Sequence, residues 1–485
     1  MSSAHGTANV VGAGPNGLAA AITLAEQGIA VTVFEASSTA GGGCRTAELT
    51  LPGYRHDVCS TVQSMAELSR FFRGLDLEAL GVRMLRPEAS FAQPLDGGRA
   101  AVAYADVERT AAGLGADGPA WRALFGRLSE GAPEVLGDVF SDLRHVPRHP
   151  FLLARFGLPG LLPATVLARA RFSTDPAKAL FAGLAAHSVR DLAAPLTSAF
   201  GLVLGVSAHA SGWPVVEGGS GVLADALVRH AESLGVEFVL DHEVTSLRDL
   251  PPATATLLDV GPHQLARIGG ADLPAGYRRS LQRFRYGGGV FKLDYALSGP
   301  VPWTNPEVRT AGTVHVGGTL EEVAASEAAM EAGRHSDRPY VLVVQAGVVD
   351  ATRAPDGGHT LWAYCHVPNG SDLDRTDVVE AQIERFAPGF RDLIVHRATR
   401  TSSQYEAYDG NYVGGDINAG LAGFFHSVLG PTPSWSRYAT PLDGVYLCSS
   451  STPPGGGVHG MCGWNAARTA LARDFRTRLA TPVLT

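Results

Sequence analysis

The stretch Asn9-Val10-Val11-Gly12-Ala13-Gly14-Pro15-Asn16-Gly17 decides the fold. A short β-branched strand, Asn9 to Gly12, runs into three glycines spaced G-x-G-x-x-G. The segment that follows, LAAAITLAEQG, has helical period and stops at Gly28. Ile29 to Phe34, IAVTVF, is a second strand of nearly continuous apolar character, as expected when both faces are covered. Glu35 closes that strand, eighteen residues beyond Gly17. Strand, glycine turn, helix, strand and acid in this register predict a dinucleotide-binding βαβ unit. Gly12 makes the tight turn, Gly14 lets the backbone approach a pyrophosphate, and Gly17 brings the helix against the strand. Pro15 and Asn16 lie at the helix N-terminus, whose free N–H groups and positive dipole end attract phosphate. Glu35, with Ala36 beside it, is placed to accept the ribose hydroxyls of an adenosine, and it disfavours a 2′-phosphate.

The whole chain has 485 residues, 45% of them hydrophobic, enough to bury a large core in two or three structural units and too apolar for a disordered or fibrous protein. Lys and Arg total 39 against 47 Asp and Glu, a formal charge of −8 without long single-sign blocks. That leaves no electrostatic footprint for nucleic acid. Cys44, Cys59, Cys365, Cys448 and Cys462 form neither a C-x-x-C pair nor a zinc spacing, so no metal site is expected and a reducing compartment fits. The N-terminal apolar run lacks a basic region before it, and no window reaches roughly eighteen uninterrupted apolar residues, so the protein is expected to be cytoplasmic. His149 to Phe172, HPFLLARFGLPGLLPATVLARARF, combines bulky apolar residues with Arg155, Arg169 and Arg171. It reads first as a buried helix pair broken at Gly157 to Pro163, and second as a peripheral segment lying in a membrane interface.

Ala40 to Thr46, AGGGCRT, bears on which dinucleotide is bound. Here the sequence resembles the amine oxidase and phytoene desaturase group of flavoproteins, in which a Gly-Gly-Arg stretch after the ribose acid contacts the pyrophosphate and ribityl chain. The resemblance implies FAD as cofactor, with Gly42, Gly43, Cys44 and Arg45 as contacts. Gly43 or Cys44 stands where arginine is usual, and Arg45 is displaced. Cys44 reads as a small buried thiol in preference to a covalent flavin link. The likeness is greatest to the phytoene-desaturase-like branch, which holds bacterial carotenoid desaturases and pyridine nucleotide-disulphide oxidoreductase domain-containing protein 2. Leu51 to Thr61 looks like the family's segment leading to the flavin ring, and Gly212 to Leu247 like its second FAD contact, with Val244 where the adenine is held by backbone bonds. Phe291 to Trp303 and His359 to Pro368 look like strands of the sheet that roofs the flavin. Tyr412 to Asn418 resembles another block of the branch and is read here as turn chemistry. Gly444 to Ala470, GVYLCSSSTPPGGGVHGMCGWNAARTA, is a strand, a Pro/Gly turn and a helix from near Val458. The family places its ring contacts there, which implies Ser450, Gly456, Gly457, Val458 and His459, with backbone N–H groups aimed at negative charge on a reduced flavin.

The expected fold class is α/β: an FAD-binding Rossmann-like (two-dinucleotide-binding) domain with a mixed-sheet plus helical substrate domain. The cofactor domain is expected to be discontinuous, from 1–65, 205–270 and 440–485. Residues 66–204 read as a mostly helical insertion on the substrate side, and 271–439 as mixed strands and helices. No second G-x-G-x-x-G of this quality occurs, so no built-in NAD(P)H domain is expected, and electrons should leave to an external acceptor, oxygen or a quinone. His459 is the leading candidate for positioning substrate or proton, followed by Tyr405, His209 and His366 in blocks expected near the cavity. The expected reaction is dehydrogenation (desaturation) of a lipophilic or secondary-metabolite small molecule, with hydride transfer to flavin N5. Three alternatives on the same fold remain: an amine or amino-acid oxidase, a redox-neutral isomerase, and a non-catalytic lipid-binding module of the GDP-dissociation-inhibitor type.

Overall fold

The opening unit forms as its glycine spacing dictates. In the computed structural model, which describes residues 6–141, 147–423, 430–432 and 436–475, strand β1 spans Thr7–Val11, helix α1 Pro15–Ala25 and strand β2 Ala30–Phe34. β1 therefore begins two residues before Asn9. The two strands pair in parallel from Thr7 with Ala30 to Val11 with Phe34. A Cβ at Gly17 would lie 2.0 Å from the carbonyl oxygen of Gly12, so the helix can approach its own strand this closely only without a side chain there. α1 is buried from Asn16 to Ala25, as its run of small and apolar residues requires.

β1 is the central strand, with β2 beside it, of a five-stranded parallel sheet ordered Val445–Leu447, Ala255–Leu258, β1, β2, Glu237–Val239. The strands come from three stretches of chain separated by about two hundred residues each, and α1 packs on Met461–Arg473, the last helix described. The ends of the expected cofactor segments, 1–5 and 476–485, lie outside the described residues. The final helix starts at Met461, three residues later than expected. Gly460 takes a left-handed φ of +65°, which holds the preceding turn out of the helix.

The second sheet has seven strands in the order Ile394–Arg400, Gly289–Leu297, His359–Val367, Val341–Val344, Ala311–Val316, Ala89–Leu95, Arg99–Ala103. Neighbours are antiparallel except for the parallel pair Ala311–Val316 and Ala89–Leu95. Alternation along His359–Val367 divides the core. Leu361, Ala363, Cys365 and Val367 face a cluster with Trp303, Phe386 and Phe390, while Trp362 and Tyr364 face the other way.

Residues 66–204 are mostly helical, and within them Ala89–Leu95 and Arg99–Ala103 complete the seven-stranded sheet. ASFAQPL is buried along its whole length, so it lacks period-2 alternation, and Pro94 reads as a breaker. The segment 149–172 is not a buried helix pair. Pro150–Gly160 and Ala164–Arg171 meet at 104° across Leu161 to Pro163, and Phe151 is 92% exposed, Leu158 70%, Leu161 54% and Val166 49%. Among the described residues no single helix is long and apolar enough to cross a membrane.

Candidate cofactor and active site

The N-terminus of α1 and the end of Ala255–Leu258 open on a cavity of about 520 Å³ that runs to the face of the seven-stranded sheet carrying Trp362 and Tyr364. This is the crevice at the carboxyl ends of strands where open α/β sheets take their ligands. Its two ends differ in chemistry.

The first end is backbone. Gly14, Pro15, Asn16, Gly42 and Gly43 border it, and a Cβ on Gly42 would sit 2.9 Å from the Cα of Gly14. Two glycine turns therefore meet without side chains and leave a cradle. Asn16 is buried, and its Nδ2 donates to Ser450 Oγ at 3.1 Å while its Oδ1 has no partner. An orphaned acceptor beside bare backbone suits the phosphates and ribityl hydroxyls of a dinucleotide such as FAD. Glu35 ends β2 as expected, and its carboxylate accepts from the Ala13 N–H at 2.8 Å and the Ser37 N–H at 2.9 Å. Arg45 stands 3.6 Å from Glu35 and donates to Tyr408 and to the carbonyl of Thr39. Neither residue borders the enclosed cavity, nor do Gly12, Gly17 and Ala36. Val244 packs its side chain with Val11, Phe34 and Leu258, close to where the His242 N–H donates to the carbonyl of Glu35. The residues assigned to the adenosine thus gather at the outer end of β2, while of those assigned to the phosphates and ring Gly14, Asn16, Gly42, Gly43, Cys44 and the Ser450 and Gly456–His459 group border the cavity and Arg45 does not.

Asp259 was not anticipated. It follows the strand Ala255–Leu258, and its Oδ2 accepts from the N–H of Gly17 at 2.8 Å, inside the glycine cradle. Burial pushes its pKa up to about 8, and Asp409 and Glu35 add to the rise against the opposing Gly17 hydrogen bond. The signal was available in LLDVGP: an apolar strand ending in an acid, as β2 ends in Glu35.

Ser450, Gly456, Gly457, Val458, His459 and Cys44 all border the cavity. Burial pushes the Cys44 thiol up, so it stays protonated, which agrees with a packed thiol. His459 needs correction. Its Nε2 bonds the carbonyl of Gly455 at 3.1 Å, which only an N–H can do, and its Nδ1 accepts from the Met461 N–H at 3.0 Å. Both nitrogens are committed to its own turn, one of them to a helix N–H otherwise free to meet an anion. Burial lowers its pKa to about 4, and its ring stacks on Phe140 at 5.3 Å. His459 is a brace for the turn and has no nitrogen for a proton in transit. Tyr405 is corrected too, since it is buried off the cavity and its hydroxyl donates to the carbonyl of Val58 at 3.0 Å. His209 bonds Trp121 and the carbonyl of Tyr104, and His366 bonds Glu327; neither borders the cavity.

The second end is aromatic and aliphatic. Trp362 and Tyr364 meet edge to face, 4.9 Å between centroids, with Trp213, Phe156, Phe200 and Leu342 around them. Lys292 lies behind Trp362, 5.5 Å from its ring, paired with Asp294. The polar groups here are Thr313 Oγ1, the Trp362 indole N–H, the Tyr364 hydroxyl and His187, whose Nε2 meets His315 Nε2 at 3.1 Å and whose pKa burial lowers to about 3. Among the described residues bordering the cavity there is no Lys, Arg or Glu, and the carboxyls are Asp259 and Asp409 at the cradle end. No group of three or more His, Cys, Asp or Glu among the described residues is placed to hold a metal.

Fold and cradle together define a dinucleotide-binding oxidoreductase architecture of the FAD type. Comparison with known proteins agrees: residues 10–75 match the NAD(P)-binding Rossmann-like domain. The chain is 24% identical to pyridine nucleotide-disulfide oxidoreductase domain-containing protein 2 of Rattus norvegicus, covering 96% of this chain and 93% of that one. It is 30% identical to one component of the limonene dehydrogenase of Castellaniella defragrans over 31% of this chain and 25% of that protein. In fold it is similar to an oxidoreductase from Methanosarcina mazei (TM-score 0.64, 15% identity, 96% and 100% of the two chains) and to a putrescine oxidase variant (TM-score 0.61, 17% identity, 97% and 99%). The resemblance found in the sequence stands, and with it FAD as cofactor; the likeness to the putrescine oxidase is one of fold.

Proposed function

We propose that this chain is an FAD-dependent dehydrogenase that oxidises a C–H bond of an apolar small molecule and passes the electrons to an external acceptor, oxygen or a quinone. The observation that carries this reading is the uncharged wall of the substrate end: Trp362, Tyr364, Trp213, Phe156 and Leu342 with a neutral His187. An ammonium or carboxylate group carried there would find no opposite charge, and its desolvation would go uncompensated. FAD, when bound, supplies the two-electron acceptor for a hydride. The protein's share is to orient the substrate against Trp362 and Tyr364, to exclude water with the aliphatic wall, and to offer His187 as a hydrogen-bond partner for a polar group on the substrate. The limonene dehydrogenase likeness supports an apolar substrate. The putrescine oxidase fold likeness keeps an amine as the competing reading, since aromatic rings can also receive a neutral amine.

Anaerobic stopped-flow reduction of the purified flavoprotein separates the two. Terpenoid and other apolar alkenes should bleach the flavin faster than primary amines do. Faster reduction by amines, with rates rising as the amine deprotonates, would overturn the proposal.

Peripheral membrane contact through 149–172 belongs to the same reading. Exposed Phe151, Leu158, Leu161 and Val166 are flanked by exposed Arg148, Arg155, Arg169 and Arg171, the chemistry of an anionic lipid surface. Phe156, Gly157, Gly160 and Leu161 of the same bend border the cavity, which gives an apolar substrate a dry way in. The protein should float with anionic liposomes, and failure to do so removes the membrane from the proposal.

A further inference from the structure

One feature of the cradle opposes its ligand. The N-terminus of α1 is where a pyrophosphate meets free N–H groups, yet the carboxyl of Asp259 already takes the N–H of Gly17 at 2.8 Å. A Cβ on Gly14 would be 3.1 Å from the same oxygen, so this carboxyl borders the space into which the Gly14 backbone opens. The unpartnered Oδ1 of buried Asn16 marks that space as a ligand site independently of Asp259.

The surroundings of Asp259 hold little positive charge. The end of β2 contributes Glu35, the turn before Tyr412 contributes Asp409 and the amide of Asn411, and the C-terminal strand and helix contribute the thiols of Cys448 and Cys462. Arg45 turns instead to Glu35, Thr39 and Tyr408. A doubly negative pyrophosphate laid beside an ionised Asp259 would place like charges together in a buried site, an arrangement that is resolved by binding a proton.

We propose that Asp259 is a cofactor-binding residue that works as a neutral acid: the dinucleotide is held with one proton on this carboxyl, which donates to a phosphate oxygen while Gly17 continues to donate to its Oδ2. The inference rests on FAD being the ligand of the cradle. It adds that binding is linked to one proton. Below the transition of the empty site, about pH 8, the proton is already present and affinity is independent of pH. Above it, each FAD must bring a proton, and affinity falls by about tenfold per pH unit until the carboxyl of the loaded site ionises.

The test is the release of FAD from the loaded protein, followed by the fluorescence of free flavin from about pH 6.5 to about pH 9.5. The wild type should hold FAD evenly up to about pH 8 and then lose affinity at about tenfold per unit. Asp259→Asn, which can donate but cannot ionise, should flatten the profile and keep FAD at the alkaline end. Calorimetry of FAD binding to flavin-stripped wild type in two buffers of different ionisation heat should count about one proton taken up per FAD at the alkaline end and none near pH 6.5. A flat wild-type profile without proton uptake, or an Asp259→Asn profile with the wild-type slope, overturns the proposal. Should Asp259→Asn fail to fold, the proton count on the wild type decides alone. A protein that holds no FAD at any pH overturns the cofactor assignment instead, and that result differs visibly from pH-independent binding.

Discussion

The two ends of the cavity are built on opposite principles. At the cradle end the contacts are mostly backbone, joined by the side chains of Asn16 and Asp259, and Gly14, Gly17 and Gly42 stand where a single methyl would crowd a neighbouring main chain or carboxyl. At the substrate end the contacts are large rings projecting from strands, Trp362 and Tyr364 above all. A backbone site holds a ligand common to many proteins and tolerates almost no substitution. A ring-lined site can change its occupant by exchanging one side chain, and its supporting sheet survives.

The largest effect should break the cradle. Gly17→Val places a branched side chain where the first added carbon already comes within 2.0 Å of the Gly12 carbonyl oxygen. Relief requires moving α1 off β1 and off the C-terminal helix. The variant should keep no flavin and lose the cooperative unfolding transition, read from the visible spectrum and from thermal melts. A yellow, stably folded Gly17→Val protein would show that the cradle is less constrained than its geometry says.

Trp362→Ala tests the other end. Removing a buried ring from one face of the seven-stranded sheet should cost about 3 to 5 kcal/mol in denaturant unfolding and leave a cavity. The flavin should nevertheless be retained, because the cradle touches other residues. Substrate preference should shift toward bulkier alkenes, measured as kcat/KM across a size series. Loss of FAD in this variant would mean that the two ends are not separable.

The same contrast explains what could be read from the sequence. Gly12, Gly14, Gly17 and Glu35 were legible because a turn that only glycine permits fixes both the residue and its spacing. Ala89–Leu95 was illegible as a strand because burial on both faces erased the alternation that marks one. His459 borders the cavity, and its nitrogens serve its own turn. Its sequence neighbourhood says where the ring lies, and only the structure shows both nitrogens bonded to Gly455 and Met461. His187 gave no signal at all, since its meaning comes from His315, 128 residues away.

Asp259 gives an intermediate effect, on the flavin-free protein. Its folded-state pKa of about 8 lies above the ordinary carboxyl value of 3.8 that the unfolded chain approaches. Between those values the folded protein keeps a proton that the unfolded chain releases, so stability falls as pH rises through the window, at a limiting slope of about 1.4 kcal/mol per pH unit. Asp259→Asn should remove that slope, and urea midpoints at several pH values between about 5 and about 8 would show it. Parallel slopes in the two proteins would mean that Asp259 is ionised in the folded state at neutral pH.

The smallest effect on stability should come from the outer wall of the substrate end. Phe151 is 92% exposed and Leu158 70% exposed, so replacing both with serine removes almost no packing and should leave the unfolding free energy within about 0.5 kcal/mol of wild type. Yet if this bend meets lipid, the double variant loses two of its four most exposed apolar anchors, and its flotation with anionic liposomes should drop while flavin reduction by a soluble alkene stays unchanged. The arginines supply a control, because high salt should weaken wild-type flotation by screening Arg148, Arg155, Arg169 and Arg171 and leave the apolar contribution in place. A double variant that floats as well as wild type would show that these side chains face water in the working protein, and the cavity would then need another entrance for its substrate.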